Sequence, residues 1–336
     1  MLEWKGAQIH RWTQAEDIMH YGVPYLDDAT RGIFPNDLVV MGAGTGVGKT
    51  QFATNVALKL STECKRVLFF ALEADKYEIQ NRMLYSTIRK YFFQYFKGRE
   101  HHWPRYVDWL AMGHDTDWES LENEALKELQ LNTDGLSVVY QSERYTAEDF
   151  KKGVESLFTE FDLIIIDHIH YFDLMKSNEY EGLKQVVHTL REVSIKTSKP
   201  IIALAHLRKD RNRFPGLHDF HGHSDIVKVA TNVILASHAP REAYESANDI
   251  FPTYLRIAKS RKAGEVSKYI GLTTYDTLKN EYSPKYVLCD HKTDEEDPEE
   301  IQSPEKIPAW AKNAKRPTGN FIGYRGRDDR ETRKED

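Results

Sequence analysis

The sequence predicts an α/β protein in which a largely parallel central sheet is flanked by helices. From about residue 38 to residue 275, short runs rich in β-branched and aromatic residues alternate with helical patterns. Several runs are apolar at both alternating sets of positions, which is typical of strands covered on both faces. Strands separated by helices favour parallel pairing, because a parallel crossover needs a long connection. The predicted strands are 38–42, 67–72, 137–140, 163–167, 201–206, 232–237, 254–259 and 269–275.

Residue spacing marks the helices between these strands. Apolar residues recur at the 3.6-residue period from Leu183 to Val193, and the pattern ends before Pro200. Thr146 and Asp149 form an approximate capping box that opens another helix. The sequence therefore predicts a helix on each side of the strand at 163–167.

Both ends of the chain lie outside this core. Near the N-terminus, Ile9, Trp12 and Met19 stand at helical spacing, which predicts a linker or docking helix. After about residue 290 the sequence is charged and rich in Pro and Gly, so we expect a disordered tail. These patterns divide the chain into a docking helix, a core domain and a tail, at residues 1–21, 22–290 and 291–336.

Composition excludes several classes of protein. Of the 336 residues, 40% are hydrophobic and 29% are charged, which is ordinary for a globular protein. No apolar run approaches the roughly 18 residues that a membrane helix needs, and the N-terminus has no secretory signal pattern. The two cysteines, Cys64 and Cys289, fit no metal-ligand spacing, so we expect a cytoplasmic protein without a membrane partner. The net charge is −6, but residues 294–305 hold seven carboxylates, so charge does not exclude a nucleic-acid partner.

The strongest motif is MGAGTGVGKT at residues 41–50, between an apolar strand and a helical pattern. This is the setting of a phosphate-binding P-loop, although Ala43 replaces the first glycine of GxxxxGKT. Glycines let backbone N–H groups face phosphate, and the helix N-terminus adds its positive dipole end. The motif predicts that Lys49 contacts the β/γ-phosphates of ATP or another NTP and that Thr50 holds Mg²⁺. The predicted nucleotide-binding residues are Ala43, Gly44, Thr45, Gly46, Val47, Gly48, Lys49 and Thr50.

Two carboxylates at predicted strand ends complete the hydrolytic set. Asp167 follows four apolar residues in FDLIIIDHIHYF, which matches a Walker B strand whose carboxylate orders Mg²⁺. Hydrolysis also needs a carboxylate that orients and deprotonates the attacking water. Glu73 ends the strand VLFFAL next to the P-loop unit and is the best candidate. The alternative for Glu73 is a surface residue that begins a helix.

In chain order, these residues resemble the RecA-fold motor domain of DnaB-type replicative helicases. The resemblance runs from about Gly22 to Tyr282. Ala43 is common at that position of the family's P-loop, and VLFFALEADKYEIQNRML and LIIIDHIHYF are similar to its stretches with the catalytic Glu and the Walker B Asp. The resemblance implies a RecA-like P-loop NTPase fold and an ATP-driven motor that translocates on single-stranded DNA in replication.

The same resemblance implies roles for three further residues. In IIALAHLRKDR, His206 stands where the family usually has a Gln that senses γ-phosphate. RIAKSRKAGEV resembles the segment that supplies a Lys and an Arg finger to the neighbouring subunit, here Lys259 and Arg261. It therefore implies a homohexameric ring, with primase or a helicase loader as a further partner. The family's usual N-terminal domain is expected to be absent, because the motor begins within about 25 residues of Met1.

The resemblance places a DNA-binding loop between residues 206 and 232. Its first half is rich in cations suited to phosphate contacts, and its second half carries His and Gly where the family usually has Arg and Glu. The implied DNA contacts are Arg208, Lys209, Arg211, Arg213, His221, Gly222 and Ser224. In the same loop, a zinc site is the alternative for His218, His221, His223 and Asp225.

Three questions stay open at this level. The aromatic and basic segment 91–109 suits either stacking on single-stranded DNA or packing in a core or interface. A RecA-fold ATPase that loads or remodels proteins on DNA without unwinding differs from a helicase only in strand displacement. A nucleotide-gated assembly module with slow hydrolysis is a third function, against which the intact set of Lys49, Glu73, Asp167 and Arg261 argues.

Overall fold

The fold is built around one mixed β-sheet. The computed structural model describes residues 4–97, 103–112, 116–140, 145–174, 178–208, 214–220, 223–239, 250–276, 281–290, 298–301 and 303–315. Within these residues the sheet contains eleven strands. They are β1 (Leu38–Ala43), β2 (Val67–Ala71), β3 (Leu136–Tyr140), β4 (Leu163–Asp167), β5 (Ile201–His206), β6 (Asn232–His238), β7 (Ile250–Ser260), β8 (Tyr269–Asp276), β9 (Glu281–Tyr282), β10 (Val287–Asp290) and β11 (Glu299–Glu300).

Six neighbouring strands of this sheet are parallel. The order is β11-β10-β8-β7-β6-β1-β5-β4-β2-β3, and β9 pairs with β8. In this order, every pair of neighbours between β6 and β3 (β6-β1, β1-β5, β5-β4, β4-β2 and β2-β3) is parallel. The pairs on the other side of β6, which involve β7 to β11, are antiparallel. The predicted α/β class is confirmed, and the eight predicted strands correspond to β1 to β8. The sequence does not predict β9, β10 and β11, because two to four residues are too short to show a period.

Both faces of the parallel part are buried. In β4, Leu163 and Ile165 belong to the core on one face, and Ile164 and Ile166 belong to the core on the other. Helices after β1 and around β4 supply the side chains that cover these two faces. Burial on both sides explains why the strand is apolar at every position rather than at alternate ones.

The helices confirm the two local patterns. Thr146 and Asp149 form a capping box at the start of α7, and α8 carries the apolar stripe from Leu183 to Val193. Among the described residues, no helix is both long enough and apolar enough to cross a membrane. The described helices are α1 (Trp4–Glu16), α2 (Pro24–Thr30), α3 (Lys49–Thr62), α4 (Glu78–Tyr95), α5 (Tyr106–Ala111), α6 (Thr116–Asn132), α7 (Ala147–Leu157), α8 (Glu179–Thr197) and α9 (His223–Val229).

The N-terminal helix is shorter than its apolar spacing predicts. α1 ends at Glu16 and buries no residue, and Ile9 and Trp12 are about half exposed. Met19 lies beyond the helix and forms an antiparallel bridge with Ile33, with backbone hydrogen bonds of 3.1 and 2.7 Å. Grouping Met19 with the helix was therefore wrong: its side chain is buried in the core because the chain there is extended.

Part of the C-terminal tail is ordered, so the expectation of disorder from residue 291 is wrong for residues 298–301 and 303–315. Ile301 and Ala311 are buried against the core, and Trp310 packs against Tyr25. Composition misses this segment because a few apolar side chains among many charges suffice to fill a groove. Residues 316–336 lie outside the described part of the chain.

The tail is held to α2 by a buried carboxylate. Asp28 accepts hydrogen bonds from the Tyr286 hydroxyl at 2.9 Å, from the backbone N–H of Asn313 at 2.8 Å and from the Asn313 side-chain amide at 3.1 Å. We call Asp28, Tyr286 and Asn313 the tail clasp. The clasp joins residues that are more than 250 positions apart in sequence.

The aromatic segment after β2 packs within a helical unit. Phe92 of α4 lies 5.3 Å, between ring centroids, from both Trp103 and Trp118, and these two tryptophans are 5.5 Å apart. The unit formed by α4, α5 and α6 thus has its own aromatic core. Of the two interpretations of segment 91–109, packing in a core accounts for these described rings.

Candidate active site

The carboxyl ends of four parallel strands meet at one edge of the sheet. The neighbours β1, β5, β4 and β2 end side by side, with Ala43 paired to His206 and Ala71 paired to Asp167. Lys49 begins α3 after β1, and Glu73 lies two residues beyond β2. Side chains that are up to about 160 residues apart in sequence are thereby brought to the crevice where α/β proteins bind ligands.

The loop between β1 and α3 has the backbone form of an anion site. Gly46 and Gly48 have φ angles of 82° and 100°, which residues with a Cβ rarely adopt. A Cβ built at either glycine would meet no atom within 4 Å, so this face of the loop is open. Gly48 is the N-cap of α3 and supplies no capping side chain, so the helix start faces this open side.

Lys49 is buried beneath the loop. Its Nζ donates to the carbonyl oxygens of Ala43 and Gly44 at 3.0 and 3.1 Å, and it lies 3.1 Å from Nδ1 of His206. Burial lowers the pKa of Lys49, and the carboxylates of Asp167 and Glu73 act in the opposite direction. The lysine therefore links the loop to the end of β5.

Asp167 has the features of a carboxylate that serves a cation. It is 3% exposed, and burial raises its pKa to about 6, although the nearby Thr50 hydroxyl acts to lower it. Its Oδ1 is buried and has no hydrogen-bond partner among the described residues. An unpaired buried carboxylate oxygen beside a hydroxyl is costly unless a cation or water completes it.

Glu73 lies between β2 and β4 at the rim of the site. The backbone N–H groups of Leu72 and Glu73 donate to the Asp167 carbonyl at 2.8 and 3.3 Å, so the backbone position of Glu73 is set by the sheet. Its Oε2 lies 3.0 Å from Nε2 of His168 and 3.8 Å from Nε2 of His206. Burial together with this nearby carboxylate raises the pKa of Tyr171.

Three of these groups could also ligate a transition metal. One ligand atom from each of Glu73, His168 and His206 lies within 4.8 Å of the others, and two imidazoles with a carboxylate suit zinc. Burial, with the nearby His206, His170 and Lys49, lowers the pKa of His168 to about 2, so this ring is neutral.

Lys259 and Arg261 lie at the opposite edge of the sheet. Lys259 pairs with Val233 near the start of β6, and its Nζ donates to carbonyl oxygens at the end of α9, those of Val227, Lys228 and Ala230. Arg261 is exposed and donates to the Lys228 carbonyl at 3.0 Å. These contacts make Lys259 a cap of α9 and leave Arg261 as the more accessible cation.

The base of the expected DNA-binding loop packs under the P-loop strand. Leu207 and Phe220 form an antiparallel bridge, and the Arg208 N–H donates to the Asp219 carbonyl at 2.8 Å. A Cβ at Gly42 would lie 2.5 Å from the Phe220 ring, so this position of β1 requires glycine. Among the implied DNA contacts, Arg208 is exposed and the backbone of Ser224 lies in α9; the others lie outside the described residues, namely Lys209, Arg211, Arg213, His221 and Gly222.

The alternative zinc site in that loop stays a prediction. The side chains of His221 and His223 lie outside the described part. His218 lies 3.6 Å from Asp219, and Asp225 accepts a hydrogen bond from Tyr180 at 2.8 Å.

The structure gathers Lys49, Thr50, Glu73, Asp167 and His206, and it keeps Lys259 and Arg261 apart from them. Sequence reasoning missed three residues of this edge. His168 and Tyr171 follow Asp167 in the same segment, which is the one local signal that could have indicated them. His238, whose Nε2 lies 3.2 Å from the Gly46 carbonyl, stands at the end of β6 and had no motif to mark it.

Comparisons with known proteins agree with this geometry. A family profile described as "DnaB-like helicase C terminal domain" matches residues 19–274. A probable replicative DNA helicase of Trieres chinensis is 24% identical over 241 residues, which cover 67% of this chain and 47% of that protein. A solved structure described as an ATPase domain has a TM-score of 0.64 at 17% identity, covering 83% of this chain and 98% of the other. A DnaB-like replicative helicase, described with its interactions with primase, has a TM-score of 0.63 at 16% identity, covering 84% and 67%.

The two kinds of likeness carry different weight. The structural neighbours show the fold, which is that of RecA-like ATPase domains. The chain spans about half the length of the curated relative from Trieres chinensis. The family profile covers most of the chain, including the P-loop, Glu73, Asp167 and Arg261. The chain therefore belongs to the family described as the DnaB-like helicase C-terminal domain.

Proposed function

We propose that this chain is the ATP-hydrolysing motor of a homohexameric DNA helicase that moves on single-stranded DNA during replication. Membership of the helicase family supports the class of activity. The observation that carries the proposal is the meeting of Lys49, Thr50, Glu73 and Asp167 at the carboxyl edge of the sheet. This is the set that nucleotide hydrolysis requires.

Each residue has a distinct role in the proposed reaction. Lys49 neutralises charge on the β/γ-phosphates. To do so, its Nζ leaves the carbonyl oxygens of Ala43 and Gly44 and binds the phosphate oxygens instead. Glu73 orients the attacking water and accepts its proton. His206, with Nδ1 3.1 Å from Lys49 and Nε2 3.8 Å from Glu73, is positioned to respond to the γ-phosphate. Because His206 is the last residue of β5, loss of that phosphate can be passed to the DNA-binding loop that follows it.

The residues present fit Mg²⁺. The unpartnered Oδ1 of Asp167 and the adjacent Thr50 hydroxyl are oxygen donors, which this cation prefers. Thr50 and Asp167 would hold it together with the phosphates. When bound, the ion supplies positive charge that stabilises the phosphates during transfer.

The position of Arg261 supports the proposed ring. An arginine that stabilises the transferred phosphoryl group is worth roughly 10³–10⁵ in rate in other NTPases. Arg261 lies at the edge opposite to its own P-loop, which supports a role in the site of a neighbouring subunit. A head-to-tail contact that repeats in this way generates a closed ring or a filament.

The proposal includes further partners. One structural neighbour is described with its interactions with primase. We infer that primase or a helicase loader contacts this ring, and that the ring acts on single-stranded DNA in the cytoplasm.

Two substitutions test the proposal. Lys49→Ala should abolish ATP hydrolysis and leave the circular dichroism spectrum unchanged, because Lys49 contacts loop carbonyls rather than the apolar core. Glu73→Gln should bind ATP and retain it without hydrolysis, because only water activation is lost. Unchanged turnover in a folded Lys49→Ala variant would refute the assignment of the P-loop.

Strand displacement separates unwinding from loading. With a forked duplex and ATP, the wild-type chain should separate the strands, and Glu73→Gln should not. Hydrolysis that DNA stimulates, without any strand separation, would instead identify an ATPase that loads or remodels proteins on DNA.

A further inference from the structure

Outside the predicted set, a buried histidine touches the carboxylate that the proposed function makes the general base. His168 directly follows Asp167, and its side chain is 3% exposed. Its ring packs edge-on against His206 with centroids 4.1 Å apart, and against Tyr171 at 4.8 Å. These neighbours leave the ring little freedom to rotate.

A backbone hydrogen bond decides which nitrogen of His168 carries the proton. The N–H of His170 donates to Nδ1 of His168 at 3.3 Å. Nδ1 is therefore the acceptor, so in the neutral ring Nε2 carries the hydrogen. That Nε2 is the atom 3.0 Å from Oε2 of Glu73.

Two other groups act on the same carboxylate. Tyr171 packs edge-on against the His168 ring, and burial together with the nearby Glu73 carboxylate raises the pKa of its hydroxyl. His206 faces Lys49 with Nδ1, which as the acceptor of the ammonium leaves a hydrogen on Nε2, 3.8 Å from the same Oε2. Side chains from β5 and from the segment after β4 therefore lie around the Glu73 carboxylate.

We propose that His168 and Tyr171 form a clamp that positions Glu73, with the Nε2–H of His168 and the Tyr171 hydroxyl holding its carboxylate toward the P-loop. The inference rests on the proposed function of Glu73. The 3.0 Å contact lies off the straight N–H direction, since Nε2 makes no hydrogen bond that satisfies the angular criteria. Catalytic contacts of this kind commonly straighten when substrate is bound.

A metal is the competing occupant of the same atoms. Glu73, His168 and His206 carry suitable ligand types. A metal on Nε2 needs the lone pair of that nitrogen, however, and both imidazoles accept at Nδ1, which places hydrogens on Nε2. The clamp therefore requires a hydrogen on Nε2 of His168, whereas the metal site requires that Nε2 carry none.

Side-chain substitutions test the clamp through its donor. The amide nitrogen of His168→Gln can replace Nε2–H, whereas His168→Leu has the bulk without the donor. A misplaced base costs about 10-fold to 100-fold in rate, so His168→Leu should lower kcat for ATP by that range and leave KM within about threefold. His168→Gln should keep kcat within about threefold of wild type. Tyr171→Phe removes one hydroxyl at a half-exposed position, where the fold does not depend on it, and should lose about threefold.

The double variant shows whether the effect passes through Glu73. In the Glu73→Gln background, His168→Leu should change the residual rate by less than about twofold. His188→Leu, on the exposed face of α8, is the matched control and should behave as wild type. If Glu73→Gln is inactive but His168→Leu has the wild-type kcat, the clamp is refuted and the proposed function stands. If Glu73→Gln is itself active, the proposed function is refuted as well.

Cobalt titration separates the clamp from the metal site. The full chain with Co²⁺ should show no visible absorption band that depends on His168. A band that appears at stoichiometric Co²⁺ and disappears in His168→Gln would overturn the clamp in favour of a metal.

Discussion

The position of Arg261 leads to the sharpest prediction. The backbone N–H of Arg261 donates to the Thr231 carbonyl, and the backbone N–H of Thr231 donates to the Leu38 carbonyl. Arg261 therefore lies at the end of the sheet where β1 begins. The P-loop begins at the last residue of β1, Ala43. Five steps along a strand at about 3.3 Å each separate the two by about 16 Å, beyond the reach of one side chain. We therefore expect Arg261→Ala to lower kcat by about 10³-fold or more while ATP binding at Lys49 persists.

Mixing two inactive variants tests whether Arg261 acts on a neighbour. Rings of Arg261→Ala keep intact P-loops, and rings of Lys49→Ala keep intact fingers. In randomly mixed rings, a good P-loop faces a good finger at p(1−p) of the interfaces, which peaks at about one quarter for equal amounts. ATPase activity should therefore return toward about 25% of wild type and follow this curve as the ratio varies.

Subunit exchange and ring-wide coordination are controlled separately. Differently tagged subunits that co-purify demonstrate mixed rings, and doping wild-type rings with Lys49→Ala shows whether one defective site stops all others. If doping lowers activity in proportion and mixed rings still recover nothing, Arg261 does not act in trans.

Three further predictions concern stability and assembly. Burial raises the pKa of Asp167 from 3.8 to about 6, so its ionisation destabilises the fold progressively as the pH rises between those values. Asp167→Asn should therefore abolish hydrolysis but raise the free energy of unfolding in urea by up to about 3 kcal/mol at pH 7.5, and this gain should disappear near pH 4. Asp28→Ala should cost about 1–3 kcal/mol in the same assay, because it leaves the buried hydroxyl of Tyr286 unsatisfied, and Asp28→Asn should cost less. Equal stability of Asp28→Ala and wild type would contradict the tail clasp. Deleting residues 1–16, of which the described part buries nothing in its own subunit, leaves Met19 in place and should weaken the oligomer and spare the fold; an undiminished hexamer in sedimentation at low micromolar concentration would exclude docking of α1 on a neighbour.

The sequence by itself determined the strands of the parallel core and the chemistry of the P-loop. Both are local: a run such as LIIID shows by its own composition that it is covered on two faces, and the glycines before Lys49 have a backbone requirement that few other motifs share. Glu73 and Asp167 could be predicted as strand-terminal carboxylates for the same reason. The roles of His206 and Arg261 came from resemblance, since nothing local distinguishes them from ordinary surface residues.

Only the tertiary structure decided which of these residues meet. The pairing of Ala71 with Asp167 brings Glu73 close to His168 and Tyr171. Arg261 lies at the end of the sheet where β1 begins, because packing between distant segments sets the strand order. The same holds for the C-terminal segment, whose charged composition predicts disorder but whose few apolar side chains fill a groove that exists only once the sheet has formed. Local pattern reports the preferences of a segment, whereas neighbours across a sheet depend on burial summed over the whole chain.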